Sequence, residues 1–312
     1  VVGICVVAFW IGVVNPTSAN PVVAPPDVRT VEHLRQHVRA LTTLPAARQY
    51  SNPEALAAAA DYIRGIWRQD GLEVEEQPYD IGARHFRNLL VRLGPKDGGR
   101  IVVGAHYDVC GEKPGADDNA SGVAGLLELG RLLLADQAVL RRRVDLVAYS
   151  TEEPPFFATS DMGSARHAAW LRAQGADVVA MLSLEMLGYY SGEPGSQEFP
   201  VPGFSFFYPT TGNYIVLVAR PADWQLVRRI KPLMQHAMKM RVYSANAPRM
   251  IPGIDWSDQR AYWDMGYPAL MVTDTSFLRN HNYHEETDTI DTLDFVRMAD
   301  VVRGVEGAVL GL

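Results

Sequence analysis

The stretch RIVVGAHYDVCGEKPGADDNASGVAGLLELGRLLL, residues 100–134, decides the fold. IVVGAH reads as a buried strand, the glycine- and proline-bearing segment after it as a loop, and AGLLELGRLLL as an apolar helix. The same alternation extends outward on both sides. Strand-like runs occur at LEVEEQPYDI, HFRNLLVRL, VDLVAYS, ADVVAMLSLE, NYIVLVAR and YPALMVTD, and helical spacing recurs near 120–135, 163–174, 222–240 and 293–311. Two helical patterns, VEHLRQHVRALTTL and PEALAAAADYIRGIWRQ, precede them all. Strands alternating with helices predict an α/β domain with a largely parallel sheet. Asp291 is the expected cap of the last helix, and residues 191–213, with four glycines and four prolines, read as a long loop.

Apolar residues are 47% of the 312-residue chain and charged residues 21%, so a large core is available. A formal charge of −7 leaves no basic footprint for nucleic acid. Cys5 and Cys110 sit in unlike contexts, which argues against a disulfide framework. The opening VVGICVVAFWIGVV is shorter than the roughly 20 residues a membrane span needs. It fits the apolar part of a signal peptide, with small residues at Thr17, Ser18 and Ala19. Residues 1–26 are therefore read as a signal-peptide-like segment and linker, and 27–312 as one catalytic domain. Export is expected, with membrane association only if the first segment is retained.

Ligands of open α/β sheets bind outside the carboxyl ends of the strands, and the unusual polar residues fall there. His106 and Asp108 end one strand, Glu152 and Glu153 follow another, Glu185 ends a third, and His281 and His284 lie in the loop after YPALMVTD. Residues two apart on a strand share a face, so Asp108 can hold the His106 ring. Asp117 and Asp118 precede an apolar helix where one cap would suffice, so one carboxylate is expected to face inward. Glu185 within MLSLEMLGYY is costly to bury unless it is paired or bound to a metal. An oxygen- and nitrogen-rich donor set without a cysteine ligand suits catalytic zinc, and the donor count suits two ions. If Asp117 bridges, one ion takes His106 and Glu185 and the other takes Glu153 and a loop histidine. Two divalent ions then balance three carboxylates and a bridging hydroxide.

VVGAHYD, PGADDNASGVAGLLELGRLL, STEEPPFF, SLEMLGYY, SDQRAYWDMGYPALMVTDT and NYHEETDT together resemble the bacterial zinc aminopeptidase and glutaminyl cyclase family of metallo-exopeptidases. The resemblance runs from about Val31 onward. It implies a three-layer sandwich, a mostly parallel twisted sheet with helices on both faces. It implies zinc ligands His106, Asp117 as the bridge, Glu153, Glu185 and His284 rather than His281, with Glu152 as general base. It also implies a cis peptide between Asp117 and Asp118. Many relatives carry aspartate where this chain has Glu185.

The implied reaction is removal of N-terminal residues from peptides by a metal-bridging hydroxide, Glu152 taking the proton and returning it to the leaving amine. Pocket candidates are Ile251, Ile254, Trp256, Phe277 and Tyr283, with Asp258 as a further partner at the site. Two other readings use the same fold. One is a glutaminyl-cyclase-like acyltransferase acting on N-terminal Gln, and the other is a non-catalytic binding module.

Overall fold

The computed structural model describes residues 10–17, 19–21 and 27–312. The expected signal-peptide segment thus lies partly outside the described residues, as do Ser18 and most of the linker.

Among the described residues eight strands form one mixed sheet: β1 (Val74–Ile81), β2 (Arg84–Leu93), β3 (Arg100–His106), β4 (Arg143–Tyr149), β5 (Val178–Glu185), β6 (Ile215–Ala219), β7 (Val242–Asn246) and β8 (Ala269–Thr273). Their order is β1-β2-β4-β3-β5-β8-β6-β7. The central four, β4-β3-β5-β8, run parallel, whereas β1-β2, β2-β4 and β6-β8 pair antiparallel. The expected parallel centre is present, and antiparallel pairings extend it. Patterning missed β7, a five-residue edge strand with alternating burial.

Among the described residues seven α-helices flank the sheet: α1 (Val28–Thr42), α2 (Pro53–Gln69), α3 (Gly122–Ala135), α4 (Gly163–Ala173), α5 (Trp224–Ala237), α6 (Gln259–Asp264) and α7 (Phe295–Gly311). Side chains alternate along a strand, and the core divides accordingly. In β3, Ile101, Val103 and Ala105 join a cluster with α1, α2, α3, α5 and α7, while Val102 joins one with α4 and α6. Helices therefore cover both faces. The apolar character of α3 follows from its burial, because its residues from Gly122 to Gly130 are all buried. The cap of α7 is Asp294, which accepts from the Arg297 amide, rather than Asp291.

Two buried histidines make this packing sensitive to acid. His167 lies 2.6 Å through Nδ1 from Tyr262 Oη, and His37 lies 2.8 Å from Tyr62 Oη. Burial lowers their pKa values, to about 3 for His167 and about 4 for His37. Each folded value is below the unfolded one. The stability is therefore present above pH ~6.5 and is lost as pH falls toward the folded value, on the order of 3 kcal/mol per ring by pH 4. In thermal melts between pH 7 and pH 4.5, the wild type should lose stability relative to His167→Phe. A pH-independent difference would count against a neutral buried ring.

Candidate metal centre

The carboxyl ends of β3, β4, β5 and β8 converge at one edge of the sheet, and each delivers polar residues there. His106 is the last residue of β3 and Glu185 the last of β5. After β4 the chain turns at Thr151, a fully buried residue at φ 61 whose Oγ1 lies 2.8 Å from both Tyr79 Oη and the Asp161 carbonyl. A β-branched residue pays to adopt this backbone, and the turn aims Glu152 and Glu153 inward. Asp108 fixes both of them. Its Oδ1 accepts from the Glu152 amide at 3.1 Å and its Oδ2 from the Glu153 amide at 3.0 Å, while Oδ1 faces His106 Nδ1 at 3.4 Å.

The loop before α3 is shaped by Gly115, at φ 59, where a Cβ would come within 2.3 Å of the Asp118 carbonyl. The following turn, Ala116–Ser121, departs from helical geometry at Asp118 (φ −101, ψ 96) and Asn119. Asp118 therefore points into the site. Its Oδ1 is 3.4 Å from His106 Nε2 and its Oδ2 is 3.0 Å from His284 Nε2. His106 Nε2 also faces Glu185 Oε2 at 3.3 Å and Glu152 Oε2 at 4.0 Å, and His284 Nε2 faces Glu153 Oε1 at 3.4 Å. Ser257 Oγ donates to Glu185 Oε2 at 2.7 Å.

Asp117 faces elsewhere, and here the structure corrects the sequence reading. Its Oδ1 accepts from the Gly188 amide at 2.9 Å and its Oδ2 from Asn280 Nδ2 at 2.8 Å, beside Asp274. It is Asp118, not Asp117, that lies between the two imidazoles. The cis peptide likewise falls at Asp118-Asn119 rather than between the two aspartates.

Burial and crowding of like charges set the electrostatics. Burial raises Glu152 well above the usual carboxylate range, and Glu153 and Glu185 reinforce the rise against the pull of His106. Burial, then the Asp118 charge, pushes Glu153 up to about 7. Asp118 is the exception, held low because hydrogen bonding to His106 and His284 outweighs its burial. Both imidazoles are pushed up by these acids despite burial, His106 chiefly by Glu185 and Glu152 and His284 chiefly by Asp118. Such a cluster is short of positive charge.

The donors fit a metal. His106, Asp118 and Glu185 present ligand atoms within 4.8 Å of one another. Glu153 Oε1 is buried with no hydrogen-bond partner, and His284 Nε2 faces it at 3.4 Å. Cys110 also lies within 4.8 Å of Glu153 and His284 through its ligand atom, and the carboxylates and imidazoles of this set match catalytic zinc.

The pattern of Peptidase family M28 matches residues 88–307, a span that contains every residue of this site. The chain belongs to peptidase family M28. Over 307 residues it is 43% identical to the uncharacterized protein YfbL of Escherichia coli (strain K12), spanning 96% of this chain and 92% of that one. Its fold is similar to the LapA aminopeptidase of Legionella pneumophila, with a TM-score of 0.71 at 19% identity over 90% of this chain and 71% of that one. It is also similar to the glutaminyl cyclase of Bacteroides thetaiotaomicron, with a TM-score of 0.68 at 17% identity over 92% and 99% of the two chains. M28 membership thus supports a hydrolase of peptides, on the α/β fold shared by aminopeptidases and glutaminyl cyclases.

Within this M28 chain, the structure brings together His106, Asp108, Glu152, Glu153, Glu185 and His284 as the sequence reading expects. A cleft opens beside them, lined among others by Glu185, Ile254, Trp256, Phe277 and Tyr283. Ile251 packs against the core outside this lining. Asp258 is fully buried within electrostatic reach of His106, Glu185 and Asp108, so it supports the site from inside rather than walling the cleft. Sequence reasoning missed Asp288, whose carboxylate accepts from the Asp117 and Asp118 amides at 2.9 and 3.1 Å. It also missed Asn119, whose side chain ties the turn to the Leu184 carbonyl and the Met186 amide. The one available signal was position, since both lie inside the polar stretches that carry the expected ligands.

Proposed function

We propose that the protein is an exported zinc aminopeptidase that removes apolar N-terminal residues from peptides, with residues 27–312 as its catalytic unit. Zinc would be held by His106, Asp118, Glu153, Glu185 and His284, with Asp118 lying between the two imidazoles. Zinc bound there would supply Lewis acidity toward the scissile carbonyl and lower the pKa of a water molecule. Asp108 positions His106, Glu152 and Glu153. Glu152 takes the proton of the attacking water and returns it to the leaving amine. The substrate's α-amine meets the surrounding carboxylates, which favours an unblocked N-terminus.

The observation that carries this reading is the joining of an apolar cleft to the acid cluster through Glu185 and Tyr283. Tyr283 stacks on the His284 ring at 3.8 Å, and Trp256 packs against Phe277 at 5.0 Å. A side chain entering the cleft thus places its own backbone beside the carboxylates. Aminoacyl-p-nitroanilides test it. Leu and Phe substrates should exceed Ala in kcat/KM by about 10- to 100-fold, and N-acetylated Leu should be inert. Cyclisation of N-terminal Gln with one zinc per chain and no hydrolysis would replace this reading with the acyltransferase. Among the described residues, no helix is long and apolar enough to cross a bilayer.

A further inference from the structure

The segment read from sequence as part of a removable leader is packed into the fold. Trp10–Val14 forms one wide helical turn, closed by the Asn15 amide donating to the Trp10 carbonyl, and it lies against β7. Val14 and Asn15 are buried. Asn15 takes φ 47, a left-handed backbone that Asn tolerates better than most residues. Its Nδ2 donates to the Trp224 carbonyl at 2.8 Å, and its Oδ1 accepts from Arg228 at 3.4 Å.

The lock on this segment is Lys231 of α5. The ammonium is buried and has three donors, and three acceptors meet it: the Val14 carbonyl at 3.2 Å, the Asn15 carbonyl at 3.1 Å and Ser244 Oγ at 3.1 Å. Two of the three belong to the segment. Without it, Lys231 would keep one of its three acceptors, Ser244 Oγ.

The same contacts reach the cleft. Val13 and Val14 pack in one apolar cluster with Phe199, Phe204 and Tyr208, and these three aromatic residues line the cleft. Ser244 Oγ donates to the Val14 carbonyl at 2.8 Å, and Tyr208 Oη donates to the Ser244 carbonyl at 2.7 Å. One packing cluster and one hydrogen-bond chain therefore connect the segment to the cleft wall.

We propose that residues 10–17 are a retained strap, locked by Lys231, that holds the wall of Phe199, Phe204 and Tyr208 and sets the affinity for bulky apolar side chains. The specificity half rests on the reading of the cleft as the seat of the substrate's first side chain; the retention half does not.

Three measurements on the full chain test it. The intact mass of protein recovered from the cell should include residues 10–17. In Lys231→Met and in the milder Val14→Ala, KM for Leu and Phe substrates should rise about 5- to 10-fold, while kcat and the Ala substrate stay within about twofold. Hydrogen exchange of amides in 199–208 should quicken at least about tenfold in both variants, with α3 unchanged. A mature chain that begins after Ala19 overturns the proposal. So does equal loss on every substrate, or exchange in 199–208 that does not change. If no aminoacyl substrate is cut at all, the aminopeptidase reading fails, and mass and exchange still decide the strap.

Discussion

Glu152→Gln should leave the zinc content of the protein unchanged and lower kcat at least about 10²-fold with little change in KM. The substitution keeps the volume and the polarity of the side chain and removes only its capacity to accept a proton. The backbone that places residue 152 is not altered, because its amide is held by Asp108 Oδ1 at 3.1 Å, a bond that does not depend on the side chain. The Glu152 carboxylate is 4.0 Å from His106 Nε2, farther than the 3.3 and 3.4 Å at which Glu185 and Asp118 face the same nitrogen. It is thus the acid of this group least engaged with the imidazole and the one free to move a proton. Burial also raises its proton affinity, which favours accepting a proton from water. Counting zinc beside the kinetics separates this role from metal binding. Turnover within twofold of wild type would remove Glu152 from the base role, and lost zinc would make it a ligand.

The parallel centre of the sheet was legible because β3, β4, β5 and β8 are short apolar runs between loop signals, buried on both faces. The residues at their carboxyl ends were legible for the same reason, since a strand of known direction delivers its last side chain to a known edge. The choice between Asp117 and Asp118 was not. Two adjacent acids in a turn differ only by backbone angles, and those depend on Gly115, on Asn119 and on the carboxylate of Asp288, 170 residues away. No local pattern encodes that contact. The N-terminal segment is a different case. Its composition matches a leader, and only Lys231, more than two hundred residues later, shows that it has a place in the fold.

Asp118→Asn should abolish stoichiometric zinc binding and cost at least about 10³-fold in activity, whereas Asp117→Asn should keep its zinc and lose about 1–3 kcal/mol of stability. The asymmetry follows from what each carboxylate touches. Asp118 meets the two imidazoles at 3.4 and 3.0 Å and stays ionised, so it is the negative charge common to both halves of the site. Asp117 is held by Gly188 and Asn280 beside Asp274, and burial followed by the Asp274 charge raises its pKa. It therefore serves the packing of the turn rather than the metal site. Chelation offers a matching test in the wild type. Metal at about 1,000 times its Kd stabilises by about 4 kcal/mol, which corresponds to roughly 10 °C in Tm. The effect should depend on pH in a defined direction. Burial raises Glu153 and Asp258 to about 7 and Asp288 to about 8, each above its unfolded value. Their contribution to the metal-free fold is present below pH ~4 and is lost as pH rises through 7 to 8. Metal supplies the missing positive charge over the same window. The Tm gap between loaded and chelated protein should therefore widen from pH 5.5 to pH 8, while the histidine effect, common to both forms, cancels. A gap that narrows, or zinc retained by Asp118→Asn, would show that the cation site lies elsewhere.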